Sequence, residues 1–412
     1  MRTLPLLGFL ALALVTGCSP NGGGSGSGNG GDAGSAGSKN GGGGGGIGGN
    51  PIGGSNLGGD INLGGGQTGT QTGNTCQSAP DEDKDKDGFS VNQGDCNDCD
   101  TNVNPGALEV PTEMGKDAAD EDCNMLVDDI APTCDDGIAL GDTDPKNGAR
   151  AIDLCQFIDP GSPKWGVLSA GYVRADGSTA IPPSALQYGI MDSFGPNVNV
   201  QGGKRMLVLS SGYARTASQP NACGSLSCYN NAPGTPPAGF PQDVPNCAGS
   251  QSINDDVALE LKIRSPKNAT GYSFNFKFYS FEYPEWVCTS FNDQFISLVS
   301  PAPQGSISGN VSFDKQNNPV SVNVAFFDVC DGCPLGPSEM DGTGFNVWDD
   351  AGGTGWLATT APITGGDEFT IRYAIWDTGD QAWDSTALVD NFQWIANGGT
   401  VVVGTETIPD PK

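Results

Sequence analysis

The clearest apolar runs between residues 134 and 398 repeat every second position, not in the groups of three and four that mark an amphipathic helix. In "DVALELKIRS" the alternating residues are Val257, Leu259, Leu261 and Ile263. In "GYSFNFKFYS" they are Tyr272, Phe274, Phe276 and Phe278, and in "DEFTIRYAIWD" they are Phe369, Ile371, Tyr373 and Ile375. Successive side chains of a strand point to opposite faces, so each run predicts a strand with one face on a core. "GVLSAGYVRA", "RMLVLSSGYA", "SVNVAFFDV" and "STALVDNFQW" add four strand candidates, with Gly, Pro, Asn and Asp between them. No stretch sustains a 3.6-residue period, and signals for βαβ units are missing. The expected fold is all-β, an antiparallel β-sandwich of jelly-roll type over 134–398, with 399–412 a tail or a last strand.

The preceding third of the chain has no such pattern. Of the 55 residues in 21–75, 26 are Gly, mixed with Ser, Asn and Thr, so apolar burial cannot offset ordering entropy and a disordered linker is expected. A coil of that composition spans about 40 Å. Residues 76–133 are acidic and form a third kind of segment, with almost nothing apolar to bury.

Charge and composition narrow the chemistry. A formal net charge of −29 makes nucleic acid an improbable partner. The absence of histidine removes Ser-His-Asp and Cys-His catalysis and the common zinc sites. At the start, Arg2 and the apolar run 4–15 read as a secretory signal too short to span a membrane. "VTGC" resembles a bacterial lipobox, which implies a signal peptide over 1–17, cleavage after Gly17 and lipid on Cys18, with 18–75 as a tethered stalk. Ser19, where inner-membrane retention uses Asp, favours the outer membrane, possible surface exposure included. Twelve further cysteines in an exported chain predict disulfides, among them "CDGC" at 330–333, which reads as structural in this strand-rich context.

The acidic segment carries a cation pattern. "DKDKDG" places Asp83, Asp85 and Asp87 at alternate positions before Gly88, and Phe89 would offer a backbone carbonyl, as in the first half of an EF-hand loop. Gly94 stands where that loop needs a bidentate Glu, so closure falls to another group, Asp95 being the nearest carboxylate. Two more sets follow: Asp98, Asp100 and Asn102, then Asp120, Asp122 and Asn124 with Asp128 at the ninth position. The order D-x-D-x-D-G, "GDC", D-x-N-x-N-P-G-A-x-E-V and D-E-D-C-N-x-x-V-D-D resembles a metal-binding motif shared with surface-associated copper-binding proteins. Cys99 is extra to that motif, with Cys76 as its candidate partner. The family's name suggests copper, but oxygen donors without imidazole or free thiolate favour Ca²⁺.

In the strand-rich part, "EYPE" followed by "FND-x-F" (282–295), then "D-x-G-D" and "DS" (377–385), resemble the choice-of-anchor L domain. That resemblance implies an extracellular β-sandwich on bacterial surface proteins, with activity largely undefined. Glu282, Asp293, Asp377, Asp380, Asp384 and Asp390 form a possible second metal site, if loops at the strand ends bring them together. Trp286, Trp348 and Trp383 are candidate sugar-stacking residues in loop-like sequence, whereas Trp376 and Trp394 sit in strand runs and belong to the core. The expected protein is a noncatalytic surface lipoprotein, membrane-anchored, contacting a surface polysaccharide or protein. Metal capture is one alternative. The other is glycan hydrolysis by carboxylates such as Glu282 and Glu285.

Overall fold

The computed structural model describes residues 76–112, 114–129, 133–228, 232–323, 326–347, 350–396 and 398–409. The signal-peptide and lipobox readings, Cys18, the glycine-rich stretch and Trp348 lie outside the described residues.

Thirteen strands are present among the described residues: β1 (Gly166–Val173), β2 (Tyr188–Met191), β3 (Met206–Ser210), β4 (Ile253–Arg264), β5 (Ala269–Ser280), β6 (Gln294–Ser300), β7 (Val320–Ser321), β8 (Phe327–Val329), β9 (Gly352–Thr354), β10 (Leu357–Pro362), β11 (Glu368–Thr378), β12 (Ser385–Ala396) and β13 (Gly404–Thr407). One short helix, α1 (Pro145–Arg150), starts where Asp144 caps Lys146 N–H and Pro145 takes the first helical position. The strands form two antiparallel sheets. One has the order β1-β4-β11-β6-β7; the other runs β13-β10-β5-β12-β3-β2, with β9 beside β5 and β8 beside β9. The fold is therefore the expected all-β sandwich.

The alternating residues build its centre. Val257, Leu259, Leu261 and Ile263 of β4 and Phe369, Ile371, Tyr373 and Ile375 of β11 face Tyr272, Phe274, Phe276 and Phe278 of β5 in one buried cluster. Aromatic rings lock the sheets together: Phe274 meets Tyr373 edge-on at 5.0 Å, and Phe276 lies 5.2 Å from Phe295. Each such ring contributes roughly 1.5–3 kcal/mol by leaving water. Trp376 is fully buried on the outer face of its sheet against Phe240, while Trp394 is half-buried at the core's edge.

Two features depart from the sequence pattern. "SVNVAFFDV" does not form one strand; its start belongs to β7, which pairs with β6, and its end to β8, which pairs with β9 in the other sheet. The outer face of the second sheet is also not left to water. Residues of 326–356 cover it, burying Trp356, Phe345 and Met340 against Tyr279 and Leu388.

The described residues of 76–129 include one 3₁₀ turn (Val91–Gln93), and the segment is held by Cys76–Cys99 and Cys96–Cys123. The segment docks on the β4–β5 turn. Lys267 N–H donates to Gly106 O (2.9 Å), Asn268 bonds both the N–H and the C=O of Leu108 (2.9 and 2.8 Å), and Trp165 Nε1 donates to Ala107 O (2.9 Å). Gly106 permits this approach, since a Cβ there would lie 3.0 Å from Lys267 Cγ and 3.2 Å from the Phe89 ring. The other cysteines pair as 134–155, 223–228, 247–288 and 330–333, so "CDGC" is a local disulfide.

Candidate cation sites

The "DKDKDG" loop folds through its own carboxylates. Asp83 accepts from Lys86 N–H (2.7 Å) and Gly88 N–H (3.1 Å), and Gly88 takes a φ of 101°, which a side chain rarely tolerates. Asp87 Oδ1 accepts from Phe89 N–H (2.8 Å), Asp95 Oδ1 from Asn97 N–H (2.8 Å) and Asp98 Oδ1 from Lys84 N–H (2.8 Å). Each of these turns consumes one oxygen. The other oxygens of Asp85, Asp87, Asp95 and Asp98 are buried without a hydrogen-bond partner.

The carboxylates also converge. One oxygen each from Asp83, Asp85 and Asp87 lie within 4.8 Å of one another, and so do oxygens from Asp85, Asp95 and Asp98. Asp85 belongs to both groups and joins them. Burial, with Asp85 beside it, pushes the Asp87 carboxyl up to about 6; burial, with Asp87, Asp85 and Asp98 nearby, pushes Asp95 up to about 7. Such a set of crowded, desolvated, oxygen-only donors suits a hard dication. Copper's preferred donors are lacking among the described residues: all the described cysteines are in disulfides, and Met114 and Met125 stand almost wholly in solvent.

The later sets divide. Asp98 joins the first cluster, but Asp100 and Asn102 bond one another in a local turn (3.1 Å). Of the third set, Asp122 meets two carboxylates that the spacing did not single out, Glu109 and Asp129, again within 4.8 Å. Asp120 is spent on Asn124 N–H and Met125 N–H, and Asp128 on Thr112. Asn124 turns its amide nitrogen toward Asp122 and Asp129, so it bridges them as a donor and is not aimed as an oxygen ligand. Glu109 is pushed up to about 7 by burial and then by Glu121 and Asp122. Both missed residues stand inside the quoted motif, in "GALEV" and "VDD", where only contact across the segment reveals them.

A second acidic group lies inside the sandwich. In register, Val257, Ile375 and Phe295 form one apolar row across β4, β11 and β6. Two positions on, toward one end of the sheet, stand Asp255, Asp377 and Asp293, all fully buried. Asp293 is held by Thr378 N–H (2.9 Å) and Ser385 Oγ (2.6 Å). Glu282 (2% exposed) accepts from Asp293 N–H at 3.4 Å, and Asp384 (3% exposed) accepts from Cys228 N–H at 2.9 Å. Burial, then mutual repulsion, drives Glu282 up to about 11 and Asp377 and Asp384 far above the usual carboxylate range. No lysine or arginine is ion-paired with Glu282, Asp293, Asp377 or Asp384 among the described residues.

Three sequence expectations need correction here. Asp390 is not in this group; it sits at a bulge of β12, its carboxylate on the N–H groups of Gln201, Gly202 and Asn391, nearer Asp153. Asp380 is half-buried at the margin, capping Ala382 N–H (3.0 Å). Glu285 is exposed while Glu282 is buried, so the two do not form a facing pair. Trp286 and Trp383 do meet, edge-on at 5.6 Å with Phe291 at 5.2 Å from Trp286, as one half-buried aromatic group near these acids.

Comparison with known proteins gives a family. The choice-of-anchor L domain matches residues 174–391, just over half of the chain, and its span includes every member of the buried acidic row. Among solved structures, the K2 cleaved adhesin domain of Lys-gingipain matches with 12% identity and a TM-score of 0.23, covering 55% of this chain and 89% of that one. No curated protein matches.

Proposed function

From the premise that this chain belongs to the choice-of-anchor L domain family, we propose that it is a noncatalytic surface protein whose β-sandwich contacts a ligand outside the cell. Its acidic segment is a calcium-ordered module. In this reading Cys18 carries the lipid anchor at the outer membrane, and 18–75 forms the stalk. Six disulfides support an oxidising compartment.

The observation that carries the cation reading is the pair of carboxylate groups joined at Asp85, in which Asp85, Asp87, Asp95 and Asp98 each keep a buried oxygen without a hydrogen bond of normal geometry. An unpaired buried carboxylate is costly, and four together stay ordered only with countercharge. Weak, millimolar-range calcium sites are usual for extracellular modules. Differential scanning calorimetry of the full chain in millimolar Ca²⁺ and in EDTA tests the proposal. A higher melting temperature in Ca²⁺, abolished for the module's share by Asp95→Asn with Asp98→Asn, is expected. Identical melting of the parent chain in both buffers would end it.

A further inference from the structure

The sandwich contains a charge arrangement that the module does not explain. The inward-facing rows of β4 and β11 are apolar, and that of β6 carries Phe295 and Val299 around a buried Ser297, up to Asp255, Asp377 and Asp293. Like charges on neighbouring strands destabilise a sheet, and here they are also removed from water. Asp384 closes the group from the start of β12, and Gly212 leaves room for it: a Cβ there would collide with the Asp384 carboxylate.

The hydrogen bonds leave specific atoms over. Asp293 is satisfied through both oxygens. Asp377 is completely buried; Ser211 and Asp293 approach it, yet neither of its oxygens has a hydrogen bond of normal geometry. Asp384 Oδ1 is likewise unpartnered. Asp384 also lines a cavity of about 20 Å³ with Ser210, Thr386 and Arg215, room for one water; Asp377 lies outside it. The sulfurs beside Asp384, Cys223 and Cys228, are a disulfide and are not available as thiolate ligands.

We propose that Asp377 and Asp384, flanked by Asp293 and Asp255, hold a hard dication of the calcium class between the two sheets, separate from the acidic module. The all-oxygen donor set excludes a thiolate- or imidazole-selecting metal. Such an ion ties the start of β4, the end of β11 and the segments entering β6 and β12 into one unit. It would thereby fix the base of the loops that carry Trp286 and Trp383.

The test uses the full chain with both module clusters disabled (Asp95→Asn, Asp98→Asn, Glu109→Gln and Asp122→Asn). In this background Ca²⁺ is expected to raise the melting temperature over EDTA by about 5 °C or more at saturation. Adding Asp377→Asn should remove that shift and raise melting in EDTA, because one member of the repelling group is gone. A background chain that melts identically in Ca²⁺ and EDTA overturns the proposal, as does a calcium shift that survives Asp377→Asn. If Asp377→Asn does not fold, Asp384→Asn takes its place, and the background measurement decides alone. The module's calcium dependence is read separately, from the parent chain against this background.

Discussion

Lys277 donates to Glu339 Oε1 inside the protein, with the lysine side chain fully enclosed and its ammonium 5.6 Å from the centre of the Trp356 ring. Tyr279 adds a second hydrogen bond to the same carboxylate oxygen at 2.8 Å. Lys277 stands between Phe276 and Phe278, on the face of β5 that strand alternation would give to solvent, and the segment through 326–356 covers it. Replacing Glu339 by Gln removes one charged partner from a buried ammonium and should cost about 1.5–3 kcal/mol in urea unfolding, with Lys277→Met plus Glu339→Gln recovering part of the loss. A single substitution that costs under about 1 kcal/mol would show that the pair matters little.

The module's docking rests heavily on Asn268. Its side chain satisfies both polar groups of the Leu108 backbone, so Asn268→Ala leaves two backbone groups without their partner and should cost about 1–3 kcal/mol. Hydrogen exchange should quicken at Leu108 and Lys267 while strands β4 and β11 keep their protection. Unchanged exchange at Leu108 would count against this contact as the dock.

Cys96–Cys123 closes 27 residues of sequence and links the two carboxylate clusters of the module. Changing both cysteines to Ser should cost about 3 kcal/mol within the module by loop entropy, and should also weaken calcium affinity because the clusters lose their mutual position. Limited proteolysis within 76–129 in EDTA and in Ca²⁺ checks this. Cleavage as slow as in the parent chain under both conditions would contradict it.

Glu109 and Asp122 are a sharper probe of the second cluster than Asp120, Asn124 or Asp128, the other members of the third alternating set. Glu109→Gln should lower calcium uptake measured by titration calorimetry, while Asp100→Asn should leave it within error, since Asp100 is spent in its own turn with Asn102. The reverse result would return the site to the alternating pattern.

The sequence alone determined the strand-facing core. Period-two alternation is local, and the rows Val257 to Ile263, Tyr272 to Phe278 and Phe369 to Ile375 have only one way to bury themselves, against one another. It also determined the "DKDKDG" turn, because the carboxylates and backbone N–H groups that shape it lie within a few residues. Which carboxylates meet at longer range was decided by the tertiary structure. Glu109 reaches Asp122 and Asp129 through the fold of the disulfide-bonded module, Asp390 is carried away by a bulge in β12, and Asp255, Asp293 and Asp377 come to one end of the sheet where β4, β11 and β6 pair, the β4–β11 register shifting there so that Asp377 stands opposite Asn254. The burial of Lys277 likewise depends on a covering segment some 60 residues further along the chain. Local rules report what a residue prefers beside its neighbours; charge clustering depends on distances between segments, and those are set only when the sheets pack.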